Sequence, residues 1–223
     1  MAVKVLIVGV DIGSVRRKGG FAWTTEDDKY HGQDDPLALA RVLVTALDSG
    51  RQVAVALECP LSVPVPSPAG NAWINLGRAR VGEGNRSWSA GAGTGALATG
   101  LVQLAWLCGY IAEHAVTPPP TTTQRRPFLA GEAQLFIAEA MVTADGKPEA
   151  VDRRQDHADA SAAAKRLNEL INGQIEQFQP DVCCSPQRPL NLAATAALHA
   201  GLPIDPAEVM QEVLVAKVQP IRR

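Results

Sequence analysis

A chain of 223 residues with 46% hydrophobic and 20% charged residues fits a globular protein with one sizeable core. Aromatic residues make up only 4%, so that core must be built from Val, Leu, Ile and Ala. A formal net charge of −2 excludes a global attraction to nucleic acid or to an anionic membrane and leaves such contacts to local basic clusters.

The first element is VKVLIVGVDIG, residues 3–13, an unbroken apolar run that reads as a central strand buried on both faces and ending at Asp11. It is too short for a signal peptide and passes straight into an acid. RRKGG at 16–20 predicts a turn and GFAWT a second, antiparallel strand, with DDKYHG a weaker candidate for a third. From Pro36 to Leu47 the period becomes helical, with Leu39, Val42, Leu43 and Leu47 on one face and Ser49-Gly50 closing it. QVAVALE, residues 52–58, is another buried strand, and it too ends on an acid, Glu58.

Residues 59–92 show no periodic segment and read as a long structureless loop of the functional or disordered kind. A Leu- and Ala-rich helix is expected over 94–114, and TPPPTTTQRRP at 117–127 reads as an extended linker. QLFIAEAMVT at 134–143 predicts a strand with Leu135, Ile137, Glu139 and Met141 on one face. A helix follows over 156–173, in which Asp156 and Asp159 head the stripe formed by Ala163, Leu167, Leu170 and Ile171. DVCCS is a short strand candidate, PLNLAATAALHAGLP a helix, and DPAEVMQEVLVAKV a helical turn with a strand. Alternation of strands and helices predicts an α/β layered domain with a mixed sheet. No stretch reaches the roughly 18–20 apolar residues of a membrane span. Four cysteines without CxxC spacing predict a reduced, cytoplasmic protein.

Three acids therefore stand at comparable places: Asp11 and Glu58 at strand ends, and Asp156 with Asp159 at a helix start. In α/β sheets, sites gather where strand ends meet helix starts. Carboxylates brought within about 4–5 Å repel by roughly 3–4 kcal/mol at an effective dielectric near 20, so a cluster persists when a proton is shared or a hard cation lies between them. Taken singly, each acid also has a structural reading, for instance as a first-turn charge facing the helix macrodipole.

GVDIGS at 9–14, ALECP at 56–60 and DHADASAAA at 156–164 resemble the three motif blocks of the RNase H-like superfamily. The order Asp, Glu, then Asp-x-x-Asp is similar to Holliday-junction resolvases, while ECPLSVP and the overall size resemble an uncharacterised family of predicted RNase H-like nucleases. The resemblance implies a single RNase H-like domain over residues 1–175, with a mixed five-stranded sheet flanked by helices, and a C-terminal helical extension (176–223) packed on it. It implies a nuclease that uses Mg²⁺ or Mn²⁺, in which Asp11 bridges two metals, Glu58 and Asp159 each bind one, and Asp156 adds or supports a ligand. His157 replaces the small residue usual there and is expected at the surface. Glu139 is either a further ligand or a structurally paired acid.

Basic residues gather in predicted turns: Arg16, Arg17 and Lys18; Arg78, Arg80 and Arg86; Arg125 and Arg126; Arg153 and Arg154. Trp73 and Trp88 interleave with the second group. Charge mixed with stacking surface suits single-stranded or splayed nucleic acid. AGAGTGALATG at 90–100 lacks the preceding strand and the Lys-Ser/Thr of a phosphate loop. GVDIGS also resembles the first phosphate motif of sugar kinases and actin-like phosphotransferases, and a non-catalytic RNase H-like binding module is a third reading. A homodimer is compatible with the sequence, which leaves the oligomeric state open.

Overall fold

The computed structural model describes residues 5–84, 87–142, 146–150, 154–173 and 180–219. β1 (Leu6–Asp11) and β4 (Val53–Leu57) lie at its centre and pair in parallel, Val8 against Val55 and Val10 against Leu57. Their uninterrupted Val, Ile and Ala content suits strands covered on both faces. β2 (Ala22–Thr25) returns antiparallel on β1, and β3 (His31–Gln33) on β2, so the faint signal around DDKYHG does yield an edge strand. On the other side β7 (Leu135–Met141) runs parallel to β4, and two short strands, β6 (Thr121–Thr122) and β9 (Val215–Lys217), pair with its beginning and its end.

The molecule is thus α/β with a mixed sheet of seven strands in the order β3-β2-β1-β4-β7-β6, β9 also lying on β7. Seven strands correct the expectation of five. The two additional ones come from segments read as a linker and as a C-terminal extension. The linker reading fails because Glu208 reaches across from the C-terminal part and accepts hydrogen bonds from Thr122 Oγ1 (2.6 Å), Thr123 Oγ1 (2.7 Å) and Thr123 N (2.7 Å), burying the threonine run. Residues 59–92 are likewise more structured than a loop. β5 (Ser62–Val65) pairs antiparallel with β8 (Arg188–Asn191), Ala72–Asn75 form a short 3-10 helix, and Val81 bridges to Cys183. DVCCS contributes only that single bridge. All four cysteines are free thiols.

Helices cover both faces. α1 (Pro36–Asp48), α2 (Gly91–His114) and α5 (Leu192–His199) pack against Val8, Val10, Val55, Leu57 and Ile137. α3 (Arg125–Leu129) and α4 (Gln155–Asn172) pack on the opposite side against Ile7, Ala54, Ala56, Phe136 and Ala138. By length and composition α2 is long and apolar enough to cross a membrane, contrary to the sequence expectation. Here its Leu104, Leu107, Cys108 and Ile111 are buried in the core shared with α1 and α5.

The strand pleat decides which side chains face α4. Ile7 points to that layer, so Gly9 and Asp11, two and four residues on, point there as well. Gly9 lets α4 seat directly on β1, because a Cβ there would overlap the Ala160 carbonyl oxygen and the Ala164 nitrogen. Small residues on both partners (Gly9, Ala54, Ala56 and Ala160, Ala163, Ala164) thus bring the head of α4 down onto the strand ends.

Candidate active site

The head of α4 and the ends of β1 and β4 enclose a cavity of about 460 Å³ lined by Asp11, Glu58, Asp156 and Asp159. The four acids named from sequence are therefore brought together, from three elements far apart in the chain. Sheet register explains half of the geometry. Glu58 N donates to Val10 O (2.8 Å), which sets Asp11 and Glu58 side by side just beyond the last β1–β4 pair. The seating of α4 on Gly9 explains the rest, carrying Asp156 and Asp159 over those ends, both buried.

Their electrostatics are those of a crowded acidic site. The Asp11 carboxyl is pushed up from 3.8 to about 7, first by burial and then by the charge of Asp159, with Asp156 adding to the rise. A hydrogen bond with Glu58 and the charge of Lys147 oppose it. Asp159 is neutralised differently: its Oδ2 lies 2.9 Å from Lys147 Nζ, and its Oδ1 accepts from Gln155 Nε2 (2.7 Å). Asp156 Oδ1 lies 3.5 Å from Arg154 Nε, while its Oδ2 is buried with no hydrogen-bond partner among the described residues.

The donor set consists of carboxylate oxygens, which hard divalent cations prefer. Among the described residues no three acidic, His or Cys side chains already converge as a metal-binding group. Asp159 turns to Lys147 and Gln155, and Asp156 to Arg154. The orphaned oxygen of Asp156 and the raised Asp11 are what a cation placed there would relieve. In donor chemistry the residues fit Mg²⁺ or Mn²⁺.

Several other expectations change. Glu139 lines the same cavity but follows Leu135 and Ile137 onto the sheet face away from α4. There it is a paired acid: Arg80 Nη2 and Nη1 donate to its two oxygens at 2.6 and 2.7 Å, and Leu61 N donates at 2.8 Å. Arg80 was placed among nucleic-acid contacts, yet it is 4% exposed and also binds Glu83 (3.1 Å). Burial alone would lower the guanidinium's pKa, but the two carboxylates raise it above its ordinary value. His157 is likewise not at the surface. It is buried under the β2–β3 turn, its Nε2 3.2 Å from Asp28 Oδ1 and its ring edge-on to His31.

Arg16, Arg17, Lys18, Arg78 and Arg154 are exposed, and Trp73 is 65% exposed. Trp88 is half-buried, its indole N–H donating to Arg78 O (3.0 Å). The turn carrying Arg16–Lys18 is flanked by Gly13 and Gly19, which line the cavity, and the Arg154 guanidinium lies on Gly19. Arg125 lies away from this group, its Nε donating to Leu170 O at the far end of α4 (2.6 Å), and Arg126 is exposed on α3. Arg86 and Arg153 lie outside the described residues. Lys147, Gln155 and Glu83 were not singled out from sequence, because each gains its role only through a tertiary contact.

No family model, curated protein or solved structure matches the chain.

Proposed function

We propose that the chain is a metal-dependent nuclease with an RNase H-like fold, hydrolysing phosphodiester bonds of DNA or RNA at the Asp11–Glu58–Asp159 cavity. One observation carries this reading: four carboxylates from three separate elements line one cavity, and one of them keeps a buried oxygen without a partner among the described residues. Burying such oxygens uncompensated is costly, and a hard cation is the usual compensation. Asp11, Glu58 and Asp159 would hold Mg²⁺ or Mn²⁺, with Asp156 lending its free oxygen. A pair of such ions supplies a clamp on the attacking and leaving oxygens of a phosphodiester, with water as nucleophile.

The remaining tasks fall to the chain's own groups. Arg16, Arg17 and Lys18, in the turn whose flanking glycines line the cavity, attract and position the phosphate backbone. Arg154, lying on that turn beside Asp156, extends the same basic rim. The exposed Trp73 offers a stacking surface for an unpaired base.

The phosphotransferase alternative is less well supported. Such enzymes need two RNase H-like domains, and the described residues form one seven-stranded sheet with a separate two-stranded ribbon.

The test is incubation of purified protein with Mg²⁺ or Mn²⁺ and labelled single-stranded, duplex, hybrid and branched substrates. Cleavage of at least one is expected, lost with EDTA and in Asp11→Asn and Asp159→Asn. If none is cut and Mn²⁺ leaves the melting temperature unmoved, the reading fails.

A further inference from the structure

The contact that most constrains entry of a cation is the one between Lys147 and Asp159. Both oxygens of Asp159 are already engaged, Oδ1 by Gln155 and Oδ2 by the Lys147 ammonium at 2.9 Å. The lysine is not a wandering surface side chain that happens to fall there. Gly146, beside it, is packed so closely under Val218 that a Cβ would overlap the Val218 carbonyl oxygen. On its other side the Pro148 carbonyl accepts from the same Gln155 Nε2 that holds Asp159. The segment bearing Lys147 is thus tied to α4 through Gln155 and to the C-terminal strand region through Gly146, and its ammonium is aimed into the cavity.

The charge of Lys147 also reaches Asp11, where it works against the repulsion from Asp159 and Asp156. One ammonium therefore serves two carboxylates of the cavity. Asp156 Oδ2, in the same cavity and 92% buried as a residue, is left over and marks the valence that a single monovalent ammonium does not fill.

We propose that Lys147 is an internal counter-ion of the acidic cavity, which a divalent cation must displace from Asp159 in order to bind. The proposal rests on reading the cavity as a divalent-cation site, and it assigns a role to a residue outside the acidic motifs. Lys147 keeps the carboxylates in place without metal and sets a threshold for metal uptake. A divalent ion succeeds because it satisfies Asp11, Asp156 and Asp159 together, whereas the ammonium reaches Asp159 directly and the others only through space.

Two measurements test it without reference to turnover. In the first, MnCl₂ is titrated into wild type, Lys147→Met, Lys147→Gln and Lys147→Arg, and free Mn²⁺ is followed by electron paramagnetic resonance. Removing the charge is expected to tighten Mn²⁺ binding about tenfold, which is the size of a partly exposed charge competing at a shared ligand. Lys147→Arg should stay near wild type. In the second, wild-type protein is labelled with an amine-reactive acetylating reagent with and without saturating MgCl₂, and the modified lysines are quantified by mass spectrometry. Labelling of Lys147 should rise severalfold with Mg²⁺ while labelling of the α4 residue Lys165 does not.

Equal or weaker Mn²⁺ affinity in the uncharged variants, or Lys147 labelling unchanged at saturating Mg²⁺, overturns the proposal and leaves the metal reading standing. Failure of wild type and variants alike to bind Mn²⁺ overturns both. The labelling arm needs no variant, so a substitution that prevents folding cannot shelter the proposal.

Discussion

Replacing Asp11 by Asn should stabilise the metal-free protein at alkaline pH and do almost nothing at acid pH. Asp11 titrates at about 7 when folded, first because it is buried and then because Asp159 repels its charge, against 3.8 for the free group. A carboxyl with a raised pKa is more readily protonated in the folded state, so the folded chain binds more protons than the unfolded one between those two values. Stability must then fall as pH rises through that window and level off above about 7. At 1.36 kcal/mol per pH unit the full penalty approaches about 4 kcal/mol at pH 8 and is under about 1 kcal/mol near pH 4. Asn carries no charge at any pH and is nearly the same shape, so Asp11→Asn should escape the penalty. The assay is urea denaturation of both proteins in EDTA at pH 4, 5, 6, 7 and 8, comparing the difference in unfolding free energy so that other titrating groups cancel. A difference that grows toward alkaline pH is expected. A flat difference, or a variant uniformly less stable than wild type, would refute the crowded-acid account of the cavity.

Other parts of the structure make their own demands. Gly9→Ala should cost about 1–3 kcal/mol or more, because a methyl group would overlap the Ala160 carbonyl. It should also weaken Mn²⁺-induced stabilisation by lifting Asp156 and Asp159 from Asp11, which paired denaturation curves with and without MnCl₂ would reveal. Arg80→Met leaves the buried Glu139 and Glu83 carboxylates without their cation and should cost about 3–5 kcal/mol, with part of the loss recovered in the Arg80→Met, Glu139→Met double variant. If the single variant is neutral by chemical denaturation, that network is not a structural anchor. Replacing Arg16, Arg17 and Lys18 together by Ala, all exposed, should leave the melting temperature within about 1 °C. It should weaken nucleic-acid binding and flatten its salt dependence by up to about three counter-ions, measured by fluorescence anisotropy at several salt concentrations.

The parts legible in the sequence are those in which one short segment carries the whole signal. β1, β4 and β7 announce themselves as apolar runs, and α4 by a stripe that begins with two acids. The convergence of Asp11, Glu58, Asp156 and Asp159 follows because each terminates or opens such an element. What the sequence hides is pairing at a distance. β6 contributes two residues and exists only because β7 and Glu208 hold it. β5 looks like a proline-rich loop until β8 lies beside it, more than a hundred residues later. His157 falls off the buried stripe by helical count, and nothing local predicts that the β2–β3 turn closes over it. Arg80, 59 residues from Glu139, sits in a stretch of arginines that differ only in tertiary surroundings.

That last pair explains why the cavity has two kinds of acid. Strand alternation sends Asp11 toward α4 and Glu139, beside Leu57 in the sheet register, toward the opposite face. On the far face Glu139 meets Arg80 and Leu61 N and is fully consumed by them. Its partners in turn fix the chain that follows Glu58. Glu58 N is bound to Val10 O and Leu61 N to Glu139, so the Cys59–Pro60 segment is pinned at both ends. An acid saturated by an arginine therefore holds in place an acid of the cavity. If Arg80 anchors Glu58 in this way, Arg80→Met should weaken Mn²⁺ binding even where the protein remains folded, whereas Arg78→Met, exposed on the same segment, should not.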